Sequence, residues 1–203
     1  MLAVIDYGAG NVYSVVNALK FIGADCVVTS DPAKLRQCSG VIMPGVGSFE
    51  HAVRSMESSG LKDPVKNIIA DGKPFLGICL GMQILFESSE ESPGVEGLGI
   101  FKGKIVAIPK DMGLKVPHIG WNDIEIRKND GVLGTTKNNS YVYFVHSFYL
   151  KSEQPEIVAA TTEYGVHIHA AVEQDSLFAC QFHPEKSGDV GLEMLRRFTE
   201  RAE

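Results

Sequence analysis

Phe75-Leu76-Gly77-Ile78-Cys79-Leu80-Gly81-Met82-Gln83 sets a cysteine between two glycines at the end of an apolar run. Pro74 to Ile78 reads as a buried parallel strand and Met82 to Phe86 as the start of a helix. A nucleophile at a sharp strand-to-helix turn needs small neighbours, because the backbone there is strained and crowded. The turn aims the thiol at the first free amides of the helix, which favour a thiolate and can also bind an oxyanion. Taken alone, the same residues also suit a buried structural cysteine followed by a helix cap. A second cluster, Cys180-Gln181-Phe182-His183-Pro184-Glu185-Lys186, closes a strand predicted over Leu177 to Phe182. Residues two apart in an extended segment point the same way, so Glu185 can reach the imidazole of His183, orient it and stabilise its charged form. Cys79, His183 and Glu185 thus supply a nucleophile, a base and an orienter. Pro44-Gly45-Val46-Gly47 follows another apolar run, where glycines let the backbone approach a substrate closely. Gly45, Val46 and Gly47, with the amide of Leu80, are assigned to an oxyanion hole; in isolation the strip would read as a strand-ending turn.

The elements that must hold these groups follow from the first half of the chain. Strands are predicted at Leu2 to Ile5, Cys26 to Thr29 and Val41 to Met43, alternating with helices at Val12 to Ile22, from Asp31-Pro32, from Ser48 and at Pro64 to Ala70. This alternation predicts an α/β fold, a doubly wound, mostly parallel central sheet with flanking helices. Ligands in such sheets sit beyond the carboxyl ends of the strands, where Gly45 and Cys79 both fall. After an acidic loop, Glu87 to Gly99, shorter and largely antiparallel strands are predicted at 104–108, 123–126, 141–145, 157–160, 168–172 and 177–182. An amphipathic helix, Val190 to Arg201, closes the chain. Because Leu177 to Phe182 delivers His183 and Glu185, residues 1–203 read as a single domain.

Composition narrows the function. The 203 residues carry 44% hydrophobic and 22% charged side chains, as in ordinary globular proteins. A net charge of -6 announces neither a nucleic-acid nor a membrane surface. No run approaches the ~20 apolar residues of a membrane span. Met1-Leu2-Ala3-Val4-Ile5-Asp6 reads as a first strand rather than a charged leader. Cys26, Cys38, Cys79 and Cys180 show no paired spacing and read as reduced thiols of a cytoplasmic protein, with no metal and no cofactor expected. Gly8-Ala9-Gly10 lacks the third glycine of a phosphate loop and reads as a plain turn. His167 and His169 share a strand face and read as a solvent-facing or satisfied pair, His118 as part of a loop, His146 as part of a recognition strip, and Trp121 as core or an interface anchor.

Gly77-Ile78-Cys79-Leu80-Gly81-Met82-Gln83 together with His183-Pro184-Glu185 resembles the class I (triad) glutamine amidotransferases over nearly the whole chain. Within that class, residues 6–11, 44–49, 115–122 and 143–148 resemble the glutaminases that serve histidine biosynthesis. The resemblance implies hydrolysis of L-glutamine to glutamate and ammonia through a cysteinyl thioester. It also implies a heterodimer with a (β/α)8-barrel cyclase, which uses the ammonia to convert PRFAR to imidazole glycerol phosphate and AICAR. It matches Gln83 and Glu91 to positions that hold the substrate, Ser147 and Phe148 to a backbone contact with its α-amino-acid end, and Tyr143 and Lys186 to a gate facing the barrel. Ser48 and Phe148 depart from the alanine and tyrosine more usual there, and the latter puts a side-chain hydroxyl contact in doubt.

Three other readings share some of these residues. A glutaminase of another synthase (anthranilate, GMP or pyridoxal phosphate) shares all the chemistry, but residues 6–11 and 115–122 argue against it. An α/β-hydrolase would order nucleophile, acid, histidine, whereas here the carboxylate follows the histidine. A non-catalytic scaffold homologue would be unable to turn over glutamine.

Overall fold

The computed structural model describes residues 1–111 and 113–203. Apolar runs punctuated by glycine and proline give β1 (Leu2–Ile5), α1 (Val12–Phe21), β2 (Cys26–Thr29), α2 (Pro32–Gln37), β3 (Gly40–Gly45), α3 (Phe49–Ser58), α4 (Lys62–Ala70) and β4 (Phe75–Cys79). Asn11, Asp31 and Ser48 cap α1, α2 and α3 through side-chain oxygens, which places each turn where the sequence signals it. Beyond Cys79 come α5 (Leu80–Gln83), β5 (Ser88–Ser89), β6 (Gly103–Ala107), β7 (His118–Ile126), β8 (Ser140–His146), β9 (Phe148–Ser152), β10 (Val158–Glu163), β11 (His167–Gln174), β12 (Leu177–Cys180) and α6 (Gly188–Arg201).

The main sheet has nine strands in the order β2-β1-β3-β4-β12-β11-β10-β7-β8. Strands β2 to β12 of that order run parallel, and the remaining strands continue the same sheet antiparallel. β12 therefore lies beside β4, with Cys180 level with Ile78, and the two turns that follow emerge at one edge. Alternate residues of the parallel strands bury on opposite faces. Ala3, Ile5, Val41, Met43 and Phe75 pack against α2, α3 and α4, while Leu2, Val4, Ile42 and Leu76 pack against α1 and α6. A smaller sheet, β5-β6-β9, takes its first strand from the acidic loop.

Several expectations change. The helix after Cys79 stops at Gln83, and Ile84, Leu85 and Phe86 turn into the core instead of continuing it. The carbonyls of Ile84 and Leu85 accept from the amides of Leu98 (2.7 Å) and Ile100 (2.8 Å), so a returning segment takes the acceptors a further helical turn would need. β12 ends at Cys180, two residues early, and β9 is an additional strand. β7 begins at His118 rather than Asp123, because residues 118–124 pair continuously with 140–146 of β8. His118 is consequently a buried strand residue and not part of a loop.

Candidate active site

Cys79 ends β4 with φ 54° and ψ -110°, a left-handed conformation unusual for a side-chain-bearing residue. Gly81 makes the turn possible: a Cβ there would lie 2.0 Å from the Met43 carbonyl oxygen of β3. Gly45 stands on the other side of that contact, where a Cβ would sit 2.7 Å from the Gly81 nitrogen and 2.7 Å from the Tyr7 hydroxyl. The strip and the elbow are thus in backbone contact. Gly81→Ala should destabilise the fold by about 1–3 kcal/mol by overpacking, visible as a melting temperature lower by about 2–4 °C per kcal/mol. An unchanged melt would mean that β3 and the elbow can separate freely.

His183 and Glu185 do not lie on an extended segment as the sequence suggests. Pro184–Lys186 forms a 3₁₀ turn with His183 before it. The turn folds the carboxylate back, and Oε1 of Glu185 accepts from Nδ1 of His183 at 2.8 Å with both side chains buried. That bond directs Nε2 of His183, which is buried without an oxygen or nitrogen partner, towards the sulfur of Cys79. Burial alone would lower the imidazole. Its hydrogen bonds to the sulfur of Cys79 and to Glu185, and the negative charge of both, outweigh burial and push His183 up to about 10. The backbone is pinned as well: the His183 amide donates to the Tyr143 carbonyl (2.9 Å), the Tyr143 amide to Ser187 Oγ (3.0 Å), and that hydroxyl to the His183 carbonyl (2.6 Å). By contrast, burial pushes the Cys180 thiol well up, with the charges of Glu185 and Cys79 adding to the effect.

A cavity of about 310 Å³ opens over these groups. Val46, Gly47, Cys79, Leu80 and His183 line it together with Gln83, Glu91, Ser147 and Phe148. Glu185, Gly45, Tyr143 and Lys186 are not in its wall; Lys186 Nζ lies instead over the Tyr143 ring, 5.9 Å from its centroid. The substrate-side groups are partly engaged already. Nε2 of Gln83 donates to the Phe148 carbonyl (3.1 Å) and to Gln181 Oε1 (2.9 Å), so only Oε1 of Gln83 remains for a ligand. The Phe148 carbonyl also accepts from Nδ1 of His146 (2.9 Å). Oε2 of Glu91 accepts from the Phe49 amide (2.7 Å), tying the pocket wall to the start of α3 directly after the strip.

Pro117, Val145 and His146 also line the cavity. His118 Nδ1 donates to His146 Nε2 at 3.0 Å, a direction fixed because the Phe148 carbonyl can only accept from Nδ1 of His146. Burial lowers His118 to about 4 and His146 to about 3, so both rings are neutral. Of the other pair, His167 contacts Glu163 and Nδ1 of His169 accepts from the Ser152 amide (3.0 Å). The Asp6–Asn11 turn packs on the strip, a Cβ at Gly10 lying 3.3 Å from the Pro44 carbonyl. Trp121 is exposed, with Ile119, Tyr141 and Tyr143 on the same face of the β7–β8 ribbon.

A strained cysteine on a strand-to-helix turn, facing a histidine–glutamate pair beneath a glycine strip, defines the class. Residues 3–202 match the Glutamine amidotransferase class-I family, and the chain belongs to that class. A solved structure described as a glutamine amidotransferase shares the fold with a TM-score of 0.77 at 20% identity, covering 98% of both chains. Imidazole glycerol phosphate synthase subunit HisH of Caldanaerobacter subterraneus subsp. tengcongensis is 49% identical to the present chain over 98% of both chains. The protein of that name from Methanothermobacter thermautotrophicus is 48% identical over 98% of both. The chain belongs to this family of synthase subunits.

Proposed function

We propose that the chain is the glutaminase subunit of an imidazole glycerol phosphate synthase, acting in the cytoplasm with a (β/α)8-barrel cyclase. Cys79 attacks the carboxamide carbon of glutamine, and the oxygen's developing charge is taken by amides of Leu80 and the Gly45–Gly47 strip. His183, protonated at rest, gives its proton to the departing nitrogen, releasing ammonia and leaving a thioester on Cys79. It then takes a proton from water, which attacks the thioester; glutamate leaves and the sulfur–imidazolium pair is restored. Glu185 holds the ring in the required tautomer throughout. The ammonia passes to the cyclase, where PRFAR becomes imidazole glycerol phosphate and AICAR. The observation that carries this reading is Cys79 on its strained elbow, opposite the buried His183–Glu185 pair in a cavity that also exposes the strip. The exposed apolar face of Ile119, Trp121 and Tyr141, next to the Lys186–Tyr143 contact, supports partner docking there.

Assaying glutamine hydrolysis with and without the co-expressed cyclase and its ligand tests the reading. Basal turnover should be weak and rise at least about a hundredfold with the loaded partner, the effect expected when one oxyanion donor is turned into place. Lys186→Ala should reduce that activation more than it reduces partner affinity. Full activity in the isolated subunit would overturn the gating; no turnover in any arm would overturn the glutaminase.

A further inference from the structure

The chemistry above gives no task to a buried polar side chain that lies against the nucleophile's sulfur, Gln181. Gln181 is fully buried between Cys180 and Phe182, at the end of an otherwise apolar strand. A primary amide in such a place must have its oxygen and nitrogen satisfied separately, and its neighbours fix which is which. The Phe148 carbonyl can only accept, so Gln83 turns its nitrogen towards it, at 3.1 Å. The second hydrogen of that nitrogen goes to Oε1 of Gln181, at 2.9 Å. With its oxygen committed, Gln181 presents its own NH2 to the sulfur of Cys79, at 3.5 Å.

We propose that Gln181 is a positioning residue for the nucleophile, a donor that holds the Cys79 sulfur in its ionised form and aimed into the cavity, with Gln83 as the lock on its orientation. The proposal rests on Cys79 being the nucleophile. An N–H donated to an ionised acceptor is stronger than one donated to its neutral form, so the bond favours the thiolate. Gln181 differs from His183 in keeping its proton: it donates to the resting sulfur, releases it as the sulfur becomes a neutral thioester, and donates again as the thiolate leaves. The bond thus favours both the attack-ready sulfur and the final release of glutamate. Gln83 connects this donor to the wall that would bind the substrate.

Alkylation of Cys79 by iodoacetamide, followed by peptide mass from about pH 5 to 10, reads the ionised fraction without glutamine. In Gln181→Met, of similar length but with no donor, the inflection should move up by about one pH unit. The rate at pH 6 should fall about tenfold, while the high-pH plateau matches wild type. Gln83→Met should move it in the same direction by less. Gln181→Glu keeps the bond to Gln83 but faces the sulfur with a carboxylate, and should move it furthest; it also serves if the methionine variant does not fold. An unmoved inflection, or a rate lowered by one factor at every pH, would overturn the proposal. Failure of the wild-type chain to hydrolyse glutamine would count against the function and leave these rates as they are.

Discussion

Cys79→Ala is expected to abolish glutamine hydrolysis, while the assembled synthase still makes product from added ammonium salt. The variant removes the bond-forming atom and little else, since Cys79 is a small side chain at a turn whose shape is set by the glycine at position 81 and the close approach of Met43. Cys79 starts α5 without a side-chain capping bond, so its loss leaves the helix start in place and takes a hydrogen-bond partner only from Gln181 and His183. Partner binding, which would use the β7–β8 face, should be unchanged. Glutamine turnover within tenfold of wild type would remove Cys79 from the mechanism. A thiol-directed glutamine analogue should label Cys79 before Cys26, Cys38 and Cys180. Of these, Cys38 and Cys180 are buried, Cys26 is half-buried, and burial raises both Cys26 and Cys180. Labelling led by another cysteine would count equally against it.

His183→Ala should lower the rate of acylation by ~10²–10⁴, the usual worth of a positioned proton donor or acceptor. Glu185→Gln should cost less, since the amide can keep the geometry while losing the charge. A larger loss in the glutamine variant would reverse the two roles. The pair also predicts a stability profile. The folded ring holds its proton to about pH 10, against an ordinary value of 6.5. Folding therefore gains from the charged ring in full below about 6.5, and that gain is lost as the pH rises through 10. In Glu185→Gln the decline should be shallower, because one of the partners holding the charge is gone. Urea midpoints at pH 6 and pH 9.5 measure this; equal declines in the two proteins would show that Glu185 does not hold the proton.

The first three parallel strands, β1, β2 and β3, were legible because each is followed by a turn into a side-chain-capped helix, a local signal. Cys79, the strip and the His183–Glu185 spacing were legible because each lies where an apolar run stops. The antiparallel half was read less well. β7 follows Pro117 and has Gly120 near its start, so its first part looks like a loop until β8 is beside it. Ile84 to Phe86 look helical because they are apolar, yet the carbonyls of Ile84, Leu85 and Phe86 are claimed by the amides of Leu98, Ile100 and Gly99, which periodicity cannot show. The turn at Pro184 reverses the direction assumed for Glu185 but yields the contact expected of it. Gln181 was passed over although a signal was present: a polar amide between two residues of an apolar strand end needs partners, and one of them is the nucleophile.

The adjacency of β4 and β12 bears on when the protein becomes reactive during its synthesis. Gln181 and Cys79 are 102 positions apart in the chain, and the segment between them builds the whole antiparallel half. Closing so long a loop is entropically unfavourable until the intervening strands have formed a surface to dock on. A chain emerging from the ribosome as far as β11 carries the elbow and the strip, but neither the ring nor the amide that prepare the sulfur. Insertion of β12 between β4 and β11 is the event that brings both. The thiol is thus left unprimed through most of translation, and closure of the sheet is a precondition for any release of ammonia.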